Sequence, residues 1–213
     1  MSDLRVFVAQ DATQAPGENT WVSAKGGKQG QLVIIDFFAQ MAIEGRAFQI
    51  RAGDIATPLV GDVPIADTKA ELCADTVAGT TIIPFSVPIG ITLLPGTANQ
   101  IKIQSVGVVS SAGTAFTPLP LYMGSATAAT TTGRVAAAGG VTVTAEAVTT
   151  TRLHFATGAG IANTLNAPVH WEPRVPPVLA GAACLYVQVG GTTTGPSYFA
   201  AIQYIEIPTT AVS

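Results

Sequence analysis

Charge is what this chain has least of. Charged residues make up 11% of its 213 residues, where a soluble domain normally carries about a quarter. Past Lys102 the shortage is extreme: Arg134, Glu146, Arg152, Glu172, Arg174 and Glu206 are the six formal charges of the last 111 residues. Residues 103–133 and 175–205 carry none. Both stretches are full of Gly, Pro, Ser and Thr, so neither reads as a membrane span. A surface so poor in charge is expected to meet other protein, because the cores of interfaces are depleted of charged side chains.

Other shortages narrow the field further. The ten Lys and Arg are scattered singly, so direct binding to a nucleic-acid backbone is not expected. Cys73 and Cys184 are the only cysteines, and no CxxC or Cys/His spacing suggests a metal site. They read as buried free thiols. Whether they pair stays open, since a disulfide needs Cα atoms within about 7 Å. The start, Met1-Ser2-Asp3-Leu4-Arg5, lacks the basic and apolar regions of a secretory signal. The most apolar early run, residues 32–38, is broken by Asp36 and too short to cross a bilayer. The expectation is synthesis in a cytoplasm without a signal peptide, and no membrane partner.

What is present favours strands and turns: Val and Thr are plentiful, with 22 Gly and 14 Pro. A hydrophobic content of 48% and a net charge of −3 argue against disorder. The length allows a real core without staples. Residues 4–8 alternate as a short opening strand, and residues 11–30 are polar, with Trp21-Val22 as an anchor. These features predict an N-terminal strand and extended arm over 1–30, ahead of a single domain over 31–213. A polar segment of this kind lies either across a neighbour or on its own domain. Residues 31–43 read as either a buried strand or a short helix; β-branched and aromatic residues dominate the first half and favour a strand there, and with the alternating residues 46–51 this predicts a hairpin centred on Glu44-Gly45.

Residues 69–74 predict a short strand. Residues 80–87 and 89–94 are apolar runs punctuated by Pro84, Pro88 and Pro95, so they predict edge pieces or pieces that begin after bends. The clearest strand in mid-chain lies within 98–110, with Ile101 and Ile103 on one side and Lys102, Gln104 and Val106 on the other. Residues 117–123 read as an extended crossover, 141–144 and 152–155 as strands, and 158–168 as a loop. Two apolar strands around the Gly/Thr-rich residues 190–196 predict a closing hairpin, its last strand covered on both faces. No long amphipathic helix and no fixed repeat is evident. The pattern predicts an all-β protein, a β-sandwich or jelly roll with an extended N-terminal arm.

Catalytic motifs are missing. His154 and His170 are the only histidines, and no nucleophile signature accompanies them. Gly26-Gly27-Lys28 has the wrong spacing for a phosphate-binding loop. Asp54, Asp62, Asp67, Glu71 and Asp75 cluster in sequence and could in principle serve a glycosidase or calcium. Their spacing is irregular, and they read as solvated loop charges. Trp21 and Trp171 could stack on sugars, but read first as core or interface. No catalytic, cofactor-binding or metal-ligating residue is assigned, and no cofactor or enzymatic activity is expected.

The layout resembles small β-rich structural proteins of tailed bacteriophages and related prokaryotic viruses. The resembling parts are residues 29–43, where a polar arm runs into an apolar segment, and 176–208, where PPVLAGAACLYVQVGG precedes a loop and SYFAAIQYIEIP. They cover about a third of the chain and carry no diagnostic motif. The resemblance implies a virion protein of decoration, cement or minor capsid type, with copies of itself, as a trimer or lattice, and other virion proteins as partners. The competing expectation is a carbohydrate- or receptor-binding β-sandwich on a virion or cell surface.

Overall fold

The computed structural model describes residues 37–93, 99–136, 140–157 and 169–211. The N-terminal strand, the arm, residues 31–36 and the loop expected at 158–168 lie outside the described residues. The chain is all-β. Helix α1 (Phe37–Ile43) is followed by β1 (Ala47–Ala52), β2 (Leu59–Val60), β3 (Lys69–Ala70), β4 (Leu72–Thr76), β5 (Thr80–Leu93) and β6 (Asn99–Val106). Next come β7 (Ser111–Ala112), β8 (Thr114–Phe116), β9 (Leu119–Pro120), β10 (Thr132–Val135), β11 (Val141–Thr142) and β12 (Thr151–Thr157). The last four are β13 (Val169–Trp171), β14 (Leu179–Ala180), β15 (Ala183–Gly191) and β16 (Ser197–Pro208).

One sheet runs β13-β5-β16-β1-β9, with β14 also on β5 and β2 also on β16. A second runs β12-β6-β15-β4-β10-β8, and a small third runs β3-β11-β7. The main core draws on both large sheets: Phe48, Ile50, Ile89 and Ile202 from the first meet Leu72, Ile103, Leu185 and Val187 from the second. A smaller core on the other face of the second sheet joins Cys73, Cys184 and Tyr186 to Ala70 and Val141 of the third. All nine residues of β15 are therefore buried, because its period-two alternation sends Leu185 and Val187 into one core and Cys184 and Tyr186 into the other. The two thiols are free and buried. Burial, with the Cys73 thiol beside it, pushes the Cys184 thiol well above its usual range.

The expected closing hairpin does not form. β15 pairs with β4 and β6 in one sheet, and β16 pairs with β5, β1 and β2 in the other. Residues 192–196 carry the chain from sheet to sheet. β15 is covered on both faces by the two cores, whereas β16 buries Tyr198, Ala200, Ile202 and Tyr204 on one face and on the other buries Ile205 but leaves Phe199, Gln203 and Ile207 half-buried. The crossing needs glycine: a Cβ on Gly195 would run into the Gly61 carbonyl, and one on Gly61 into the Val189 carbonyl.

The hairpin at Glu44-Gly45 is likewise absent. Ala39, Gln40, Met41 and Ala42 favour helix, and α1 stops in a glycine cap. Gly45 takes φ +71°; its N–H donates to the Ala42 carbonyl at 3.0 Å and that of Arg46 to Met41 at 2.8 Å. α1 packs on β1 and β16, with the Phe38 and Phe85 ring centroids 5.1 Å apart.

The proline-punctuated runs form one continuous 14-residue strand, β5. Pro84 falls where the β16 register shifts, between the pairs Gln203↔Ser86 and Tyr204↔Pro84, so the ladder is already interrupted there. On the other side β14 covers Thr81 and Ile82, and β13 covers residues 87–89, which leaves 83–86 outside both ladders. Gly90 lies beneath the Phe199 ring, which a Cβ would strike.

Ile205 of β16 is fully buried, between Ala47 of β1 and Ile83 of β5. Its neighbour Glu206 accepts hydrogen bonds from the Thr130 N–H (2.8 Å), the Thr131 N–H (3.1 Å) and the Thr131 hydroxyl (2.9 Å). An aspartate at 205 would bury an unpaired charge at a cost of several kcal/mol, comparable with a domain's whole stability. Ile205→Asp is expected to abolish cooperative thermal melting. Glu206→Gln keeps an acceptor but loses its charge, and should cost about 1–3 kcal/mol in urea titration.

Candidate interaction surface

Each histidine has a serine partner that sequence reasoning did not single out. His170 of β13 lies 3.0 Å from the Ser86 hydroxyl through Nε2, and Glu172 Oε1 is 3.2 Å from that same nitrogen. A hydrolytic relay needs the acid on the opposite ring nitrogen from the nucleophile, so this trio has the wrong connectivity. His154 sits at a register irregularity of β12, its Nε2 2.8 Å from the Ser105 hydroxyl. Burial and the nearby Arg152 lower its pKa. Ser105 and Arg152 line a cleft of about 400 Å³ with Val178, Leu179 and Ala183, between β14 of one sheet and β6, β12 and β15 of the other. The cleft could admit a small polar ligand, but its polar groups do not assemble a Ser–His–acid relay.

The acids clustered in sequence do not gather into one site, although Asp62 and Glu71 lie close enough to interact, and two of the five are buried. Asp54 accepts from the backbone of Ala56 and Thr57 and from the Thr57 hydroxyl, bonds that hold its carboxyl below the usual range. Asp67 is exposed, 3.9 Å from Lys102. Asp75 and Glu71 are buried, which corrects their reading as loop charges. Asp75 binds the Ser110 N–H (2.8 Å), the Ser110 hydroxyl (2.7 Å) and Arg134 Nε (3.0 Å). Glu71 accepts from the Tyr198 hydroxyl at 3.3 Å. Burial, reinforced by the Asp62 carboxylate, pushes its carboxyl up to about 8, while the Tyr198 bond pulls the other way. Asp62 is itself raised by burial, with Lys69 opposing. Among the described residues no group of three or more His, Cys, Asp or Glu side chains could hold a metal ion. Trp171 is buried in the main core and offers no open face to a sugar. No described helix is long and apolar enough to cross a membrane.

Two apolar grooves flank β1. A groove of about 630 Å³ is lined by Gln49, Arg51, Phe116, Leu119, Pro120 and Met123. A second, of about 340 Å³, is lined by Arg51, Ile55, Pro88 and Phe199. Arg51 is common to both. Their apolar rims face solvent: Met123 is 95% exposed, Ile55 78% and Leu119 66%. Exposed apolar side chains beside grooves of this size suit a binding face; others as exposed, Val60, Val148 and Val175 among them, lie outside both grooves. Sequence alone hid the face, because Leu119, Met123 and Ile55 lie in segments that read as crossover and loop.

No known protein family, curated protein or solved structure matches the chain.

The Glu71 site fixes a pH dependence. An acid whose folded pKa lies above its ordinary value of 4.5 holds its proton better folded than unfolded. Its contribution is complete below about 4.5 and is lost as pH rises to about 8. Urea denaturation should therefore give falling stability across that window, and Glu71→Gln should flatten the fall while matching or exceeding the parent at neutral pH.

Proposed function

We propose that this chain is a structural subunit of a virion of the tailed-phage kind, packing into or onto a capsid or related assembly through protein–protein contacts and without catalysis. The observation that carries the reading is the apolar, grooved face around β1 on a chain whose second half has almost no charge. Exposed Leu119, Met123 and Ile55 have no role in the core and are costly in water unless another surface covers them. Two large sheets meeting across one core support a β-sandwich description of the subunit. The partners are copies of the same chain, as a trimer or a lattice, and other virion proteins. The protein is made in the host cytoplasm and resides in the particle.

Light scattering on the purified protein tests the reading. Oligomers or larger assemblies are expected at micromolar concentration. Leu119→Asp with Met123→Asp should shift the distribution toward monomer while leaving the melting temperature close to the parent's, because both side chains are already solvated in the subunit. A parent that stays monomeric and shows no affinity for any capsid would overturn it.

A further inference from the structure

We infer that the larger groove beside β1 receives residues 11–22 of a neighbouring copy, with Trp21 as its apolar anchor and Glu18 opposite Arg51. The inference rests on the assembly reading and specifies the contact that makes it. Thirty-six residues precede Phe37, where the described chain begins. α1, which starts there, packs on β1 and β16, and β1 is a wall of both grooves. Sixteen positions separate Trp21 from Phe37, a reach of about 50 Å when extended, enough to cross to an adjacent subunit. The groove's 630 Å³ suits an aromatic side chain with its flanking residues. Its walls are apolar apart from Gln49, Thr117 and the cation Arg51. Asp54, the acid nearest Arg51 in sequence, gives its hydrogen bonds to its own turn and feels Arg51 only as a weaker neighbouring charge. Glu18 and Trp21 are three residues apart, which puts them on one side of an extended, three-residue-per-turn segment. A segment docked in that three-residue-per-turn form can therefore present an anion to Arg51 and a ring to the apolar wall together.

Two full-length cysteine variants test the contact. Thr20→Cys reports on the arm, and Met123→Cys on the groove, where the parent side chain is 95% exposed. The native cysteines are buried and should not interfere. Mixing the two variants under mild oxidation should give a disulfide-linked dimer of both on a non-reducing gel. Adding Arg51→Glu to the groove variant should lower its yield several-fold, and adding Glu18→Arg to the arm variant should restore it. Absence of the mixed dimer, or a yield indifferent to both charge reversals, overturns the inference. So does an internally bridged monomer from a chain carrying both cysteines, in place of the mixed dimer, which would mean that each arm fills its own groove. Light scattering on the parent separates the two levels: assembly without the mixed dimer sinks this contact alone, whereas a monomeric parent sinks the assembly reading with it.

Discussion

The fold depends on burying both faces of β15. A strand internal to its sheet with no wet side has no tolerance for register error, since a slip of one residue would exchange its two faces. Leu185 and Val187 fill the core between the large sheets, while Cys184 and Tyr186 need a second cover. The small sheet β3-β11-β7 provides that cover. β16, five residues further on, is internal to the opposite sheet, so the short Gly/Thr connection ties one sheet to the other.

Polar groups inside this arrangement join loops to sheets. Gln188 donates to the carbonyls of Ala66 (2.8 Å) and Lys69 (2.6 Å) and anchors the segment that leads into the covering sheet. The Tyr186 hydroxyl donates to Gln104 at 2.7 Å across neighbouring strands. Arg134 reaches Asp75 and also the Ala112 carbonyl at 3.1 Å, drawing the end of β7 onto β10. Four of the six late charges are thus engaged with the protein itself: Arg134 with Asp75, Glu146 with Lys102 at 2.7 Å, Glu172 with His170 at 3.2 Å, and Glu206 with the 130–131 backbone.

Much of the strand content was legible because alternation is a local signal: β1, β6, β12, β15 and β16 all lie where the pattern places them. The connection between β15 and β16 was not, because two apolar strands around a glycine loop look the same whether they pair or part. The choice belongs to β4, β6, β5 and β1, far away in sequence. The acids failed for the same reason. Asp75 finds Ser110 and Arg134, 35 and 59 positions away, and Glu71 finds Tyr198 at a separation of 127. A local reading of a Gly- and Pro-rich segment sees only solvent around them. At α1, a mixed composition left helix and strand both open, and the left-handed Gly45 decided the ending. The groove around β1 could not be read at all, since it is made by β9, β8 and β10 arriving beside one strand.

The position of β16 also bears on when this molecule can exist. β16 lies between β1 and β5, pairing residues 200–205 with 47–52 and 197–208 with 80–93, and β15 lies between β4 and β6. Neither large sheet can close until residues 183–208 have left the ribosome. A topology built from such distant pairings folds slowly and late. A growing chain therefore has no finished β1 face to offer to any partner until residues 183–208 are in place.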